Sequence, residues 1–127
     1  MSLDWNQGAL AEGLACYRRG EFFVTHEHWE SVWLTLEDPE KSFLQALIQM
    51  SAAFHHLQSG NPAGALSLLR RTQRRLNFCP DTFAGIEVAP LHAEISAWLE
   101  SLESHKHPRP TTYPQIRLIA ASPSADI

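Results

Sequence analysis

The sequence predicts an all-α fold: two antiparallel helical hairpins plus a C-terminal helix, packed as a compact orthogonal or solenoid-like bundle. Three observations predict it. Apolar residues recur at spacings of three and four through most of the chain. The segments carrying them are separated by helix-stop and helix-start residues, namely Gly20, Asp38-Pro39 and Gly60-Asn61-Pro62. That punctuation also repeats faintly, with Gly20 and Gly60 lying 40 positions apart and Pro39 and Pro80 lying 41 apart. Short connections then make consecutive helices antiparallel neighbours.

The first helix is expected from Gln7 to Arg19, with Leu10, Leu14 and Tyr17 on one face and Arg18 and Arg19 in the last turn, where positive charge suits the free carbonyls. Gly20 ends it in the left-handed conformation. A second helix runs from Glu21 to Leu36, with Phe22, His26, Trp29, Trp33 and Leu36 along one stripe. Asp38 is read as the cap of the third helix and Pro39 as its first residue. This helix reaches Ser59 and is apolar around most of its circumference, as expected of the central helix. Asn61 caps the fourth, Pro62 to Asn77, which turns Ala65, Leu68, Leu69, Thr72 and Leu76 inward and Arg70, Arg71, Arg74 and Arg75 outward. Phe78 to Ala89 is read as a connector tacked down by Phe83, Ile86 and Val88, followed by a fifth helix from Pro90 to Ser104. Residues 1–105 form the expected domain. The Pro-rich stretch 106–127 is expected to be a partly ordered tail whose Ile116, Leu118 and Ile119 dock on the body or on a neighbouring subunit, while its last residues stay loose.

Length and composition bound the function. A chain of 127 residues suits one domain, and its 44% apolar content suits a packed core rather than disorder. With 10 basic against 14 acidic residues, the charge of -4 offers no overall attraction to nucleic acid or to an anionic membrane. Cys16 and Cys79 sit in no metal or redox spacing, lack a positioned base, and read as passive thiols of a reducing compartment. The segment Met1 to Asn6 has no basic and apolar secretory pattern, and no apolar run approaches membrane-spanning length, so a cytoplasmic protein is expected. There is no Gly-rich phosphate loop or dinucleotide fingerprint. The four arginines can grip phosphates, yet the interleaved aromatics of a nucleic-acid surface are sparse, and a solvated face is the simpler reading.

The most informative stretch runs from Thr25 to Trp33. On a helix, His26 and Glu30 face the same way, beside Trp29 and Trp33, while His28 lies about 200° from His26 and is expected in solvent. Zinc hydrolases place His-Glu-x-x-His on one helix; here the fifth position is Glu30. A metal site built on His26 and Glu30 therefore needs a ligand from elsewhere, and His55 or His56 of the third helix can supply it. Zinc, iron or manganese would suit such a His/His/Glu set. Glu27 is then the candidate general base toward a metal-bound water. Gln45 and Gln49 form a same-side pair that can orient His56 or complete a buried network, with an ordinary solvated or interhelical row as the equal alternative. The simpler alternative is a core histidine bonded to a neighbouring glutamate, which fixes packing without chemistry. Trp29 and Trp33 read as core or interface anchors.

The order of these motifs resembles the DUF309 family of small all-helical proteins. Tyr17 and Gly20 match an aromatic-Asn-x-Gly start, and His26, Glu27, Glu30 and Trp33 match the family's His-Glu-x-x-Glu-x-x-Trp. Leu44 to Gln49 resembles Leu-Gln-Gly-Leu-Ile-Gln, and His55, His56, Gly60, Asn61, Gly64 and Ala65 follow in the family's order. Arg18 stands where the pattern has Asn, and Ala46 where it has Gly, which implies slightly less close helix packing there or a small backbone adjustment. The resemblance implies a helical fold and carries no assigned reaction. Three functions are thus expected in turn: binding of a metal or small ligand in a pocket of His26, Glu30, Trp33, Gln45, Gln49, His55 and His56; metal-assisted hydrolysis with Glu27 as base; or a non-catalytic protein-interaction module. A homo-oligomer is an expected partner state, and neither a membrane nor a nucleic acid is expected.

Overall fold

Two glycines close two helices by one hydrogen-bond pattern. In the computed structural model, which describes residues 3–104 and 108–119, the helices are α1 (Gly8–Arg18), α2 (Phe22–Trp33), α3 (Glu40–Gln58), α4 (Pro62–Leu76) and α5 (Val88–Ser104). A short antiparallel pair, β1 (Thr82–Phe83) and β2 (Ile86–Glu87), precedes α5. After α1 the Gly20 amide donates to the Tyr17 carbonyl and the Glu21 amide to the Cys16 carbonyl; after α3 the Gly60 amide donates to Leu57 and the Asn61 amide to His56. Both glycines have positive φ, 77° and 80°. This double closure satisfies carbonyls that the helix end would leave unpaired. The three-residue connections that result, 19–21 and 59–61, turn each helix pair back on itself.

Neighbours in sequence are neighbours in space: α1 packs on α2, α2 on α3, α3 on α4, and α4 on α5. The all-α bundle is therefore stacked in solenoid fashion. As its apolar circumference predicts, α3 is central, with Leu44, Ala46, Leu47, Met50, Ala53 and Phe54 fully buried. Ala46 is accommodated where α4 crosses, and its carbonyl accepts from the buried Thr72 hydroxyl at 3.2 Å. Asn61 caps α4 as expected, accepting from the Gly64 amide at 3.1 Å with Pro62 in the first turn.

Three boundaries differ from expectation. Helix α2 stops at Trp33, because the Thr35 and Leu36 amides bond Val32 and Trp33 in a tighter turn that still buries Leu36. Helix α3 begins after Pro39, across a cis Asp38–Pro39 peptide. Asp38 stands one residue further out than a cap, yet its carboxylate still accepts from the Ser42 amide at 3.0 Å and from the Ser42 hydroxyl at 2.8 Å. The connector holds a β-hairpin, and α5 starts at Val88 rather than Pro90, with the Val88 and Ala89 amides bonded to the Asp81 carbonyl. Ala84 and Gly85 turn the hairpin with φ of 51° and 82°, the signs that match strand twist in a two-residue loop. Strands of two residues are too short to show alternation, so periodicity misses them.

Residues 108–119 lie along the body as a strap. Leu118 bridges to Ile86, Ile116 is buried, and Ile119 is exposed. The Tyr113 ring stacks on Trp98 with centroids 5.8 Å apart and meets Phe22 and Phe54 edge-on. Tyr17 donates to the Pro114 carbonyl at 2.6 Å, Arg18 donates to the Ile116 carbonyl at 2.9 Å, and Glu94 accepts from the Gln115 amide and from Arg117. Arg18 thus gains a strap contact at the position where the family pattern has Asn. Burial pushes the Tyr17 hydroxyl well above the ordinary phenol range, so it remains a donor. The expectations for residues 105–107 and for the loose end, 120–127, lie outside the described residues. No helix among the described residues is long and apolar enough to cross a membrane.

Candidate functional site

Helix α2 places its residues by 100° steps, and those steps divide the Thr25 to Trp33 motif between two environments. Phe22, Thr25 and Trp29 point inward. Trp29 is fully buried, stacks near Tyr17 and edge-on to Trp5, and donates to the Leu10 carbonyl at 3.3 Å. Gly13 of α1 makes this approach possible, since a Cβ there would fall 2.4 Å from the indole nitrogen. His26, Glu27 and Glu30 lie on the outer side. His26 Nε2 stands 3.4 Å from Glu30 Oε2, with side-chain exposures of 36% and 53%, so the pair is a rim contact rather than a buried network.

His26 and His55 border one recess. It measures about 160 Å³ and is completed by Phe22, Phe23 and Ala52. The Phe23 ring lies 5.4 Å from the His55 ring and leaves about half of its own surface in solvent. The neighbouring Val24 is also exposed. Sequence reasoning passed over Phe23, because the helical stripe claims only the first of two adjacent phenylalanines. The available signal was that an apolar residue next to the stripe must be either a second contact face or an exposed one.

The remaining members of the expected pocket lie elsewhere. His56 faces the α3–α4 turn, where its Nδ1 is 3.1 Å from the Asn61 amide nitrogen. Gln49 accepts from Arg75 Nε at 3.2 Å, so it serves the arginine face and does not orient His56. Trp33 and Gln45 border a different concavity with Lys41 and Arg75, and Lys41 Nζ sits 4.4 Å above the Trp33 ring. Glu27 is exposed, and its side chain makes no ion pair or hydrogen bond with a described residue. Nor is His28 simply solvated: it is half-buried, with Nδ1 3.4 Å from Glu12 of α1. Among the described residues, no three His, Cys, Asp or Glu side chains gather as a metal-holding group.

A polar recess of about 260 Å³ between α4 and α5 contains Cys79 and His92. Burial pushes the Cys79 thiol up, which opposes thiolate formation, and His92 is engaged by Asn77 Oδ1.

Comparison with known proteins agrees with the order of motifs. The family described as "Domain of unknown function (DUF309)" matches residues 10–68, which run from within α1 into α4. An uncharacterized protein of Aquifex aeolicus (strain VF5) is 31% identical over 94 residues, covering 73% of this chain and 27% of that protein. The chain therefore spans just over a quarter of this relative's length. Helices α2 and α3, the turn residues Gly20, Gly60 and Asn61, and the His-Glu-x-x-Glu segment all fall within residues 10–68, and that stretch matches the DUF309 family.

Proposed function

We propose that the domain is a small-ligand-binding module whose receptor is the α2–α3 recess of Phe22, Phe23, His26, Ala52 and His55. The observation that carries this reading is the recess itself: an apolar floor of about 160 Å³ with two imidazoles on its border. An engineered cavity of about 150 Å³ holds benzene, whereas drug-sized molecules occupy roughly 300–1,000 Å³. The fitting ligand is thus one planar ring bearing a single hydrogen-bonding group. Phe22 and Phe23 supply contact area, and the imidazoles supply the hydrogen-bonding nitrogens, His26 through the Nδ1 that does not face Glu30. Glu30 orients His26 from outside.

Titration of the full chain with phenol and with benzoate, followed by NMR of the aromatic and imidazole signals, tests this. Saturable one-to-one shifts of Phe23, His26 and His55 are expected within the millimolar range, weakened at least threefold by Phe23→Ala. Shifts that never saturate would remove the reading. A divalent metal on His26, His55 and Glu30 is the competing outcome, and it would require these side chains to draw together, since they form no three-ligand group among the described residues. Elemental analysis of gently purified protein separates the two: zinc, iron or manganese bound stoichiometrically, and lost in folded His26→Ala and Glu30→Ala variants, would replace the organic ligand. Only then does Glu27 become a base worth testing for hydrolysis.

A further inference from the structure

A second concavity lies between α3 and α4. It measures about 370 Å³ and is bordered by Gln49, Arg71, Arg74 and Arg75, with no acidic side chain on its border among the described residues. Arg70, the other arginine of this run, is engaged by Glu103 at 2.8 Å, whereas the side chains of Arg71 and Arg74 make no ion pair or hydrogen bond with a described residue. Arg75 spends its Nε on Gln49 Oε1. Its terminal nitrogens, both other guanidinium groups and the Gln49 amide nitrogen remain as donors.

A guanidinium group neither accepts a hydrogen bond nor sheds its proton near neutrality, so the groove holds many donors and a fixed positive charge. Arg71 and Arg75 are four residues apart and Arg71 and Arg74 three apart, so like charges are neighbours on one helix face, an arrangement unfavourable without a counter-charge. The adjoining recess of about 250 Å³ shares Arg75 and adds Lys41. Its acid, Asp38, already binds the Ser42 amide and hydroxyl, and the enclosed Trp33 Nε1 has no hydrogen-bond partner among the described residues. Acceptors are what this surface lacks.

Size selects the kind of anion. From Arg71 to Arg75 the helix advances about 6 Å, a span for two or three linked phosphates rather than a long backbone. The overall charge of -4 opposes a long polyanion beyond the groove. Guanidinium forks match phosphate oxygens in pairs. We infer that the α3–α4 groove binds a compact polyphosphate group through Arg71, Arg74, Arg75 and the Gln49 amide, at a site separate from the α2–α3 recess.

Calorimetric titration of the full chain with inorganic tripolyphosphate tests this, with a nucleoside triphosphate in parallel. Saturable one-to-one binding is expected, weakened at least threefold by Arg71→Gln and by Arg74→Gln, steeply reduced by added salt, and unchanged by Arg70→Gln. Equal affinity for the two probes would mean that phosphates alone are read; tighter nucleotide binding would mean that a ring also makes contact. Three results would overturn the inference: no saturable binding in low salt, an equal loss in Arg70→Gln, or preferred binding of single-stranded oligonucleotides with affinity growing with length. Thermal unfolding of each variant verifies that these exposed substitutions leave the fold intact.

Discussion

The inner and outer sides of α2 carry similar residue types to opposite ends. Phe22 and Trp29 are buried against Tyr17, Phe54 and Trp5, whereas Phe23, one position on, is 55% exposed beside His26 and His55. An aromatic ring on the inner side is held by neighbours on every face and fixes how α1, α2 and α3 meet. On the outer side a ring has only the edge of a recess. The difference teaches that the histidine-glutamate motif is mounted on the core without belonging to it. Its residues stand at the surface because Trp29 and Phe22 carry the packing.

Substitutions test that division, beginning with the largest effect. Trp29→Ala is expected to cost about 3–5 kcal/mol, since it removes a fully buried ring from a close-packed interior; chemical denaturation measures it. Gly13→Ala should cost about 1–3 kcal/mol by forcing the Trp29 indole off its seat, with a matching change in tryptophan fluorescence. On the outer side, His26→Ala should stay within about 0.5 kcal/mol, because the His26 and Glu30 contact is long and open to solvent. A loss from His26→Ala comparable to that from Trp29→Ala would erase the distinction and return the motif to a structural role.

The smallest effect concerns the strap. Hydrogen bonding from Arg117, opposed in part by desolvation and helped by the Gln115 amide, holds the Glu94 carboxyl below its ordinary value of 4.5. A carboxyl depressed in the folded state stabilises above its unfolded value and loses that contribution as pH falls through the folded one. Wild type should therefore be slightly more stable than Glu94→Gln near neutrality, and the gap should close as pH drops below about 4.5. A gap that widens in acid would contradict the assignment. Because both side chains are more than a third exposed, the difference is expected to be the least of the series.

Much of the helical scaffold was legible because its signals are local. Gly20 and Gly60 close helices through bonds within five residues, and Asn61 with Pro62 starts one. The Asp38-Pro39 start was legible in kind but displaced, since Asp38 reaches Ser42 from outside the helix. The hairpin at 82–87 was not legible, because Ala84 takes a positive φ that its residue type does not announce and Ile86 gains a partner in Leu118 from the distant strap. Of the expected pocket, the structure keeps His26 and His55 on one recess and separates Gln45, Gln49 and His56, which meet different neighbours at other heights along the same helix. A helix shows which residues share a row. It does not show which neighbour that row meets.

By itself the sequence determined that the chain forms an all-α scaffold, with its helix ends, its central apolar helix and an outward arginine face. These follow from backbone sterics and periodic burial, interactions spanning one or two turns. Only the tertiary structure decided that His26 and His55 border one recess with Phe23, that Gln49 turns to Arg75, and that residues 113–118 close over Tyr17 and Trp98. Each of those contacts joins different elements, and rotation of a helix by a single residue's step of about 100° would carry its side chains to another neighbour.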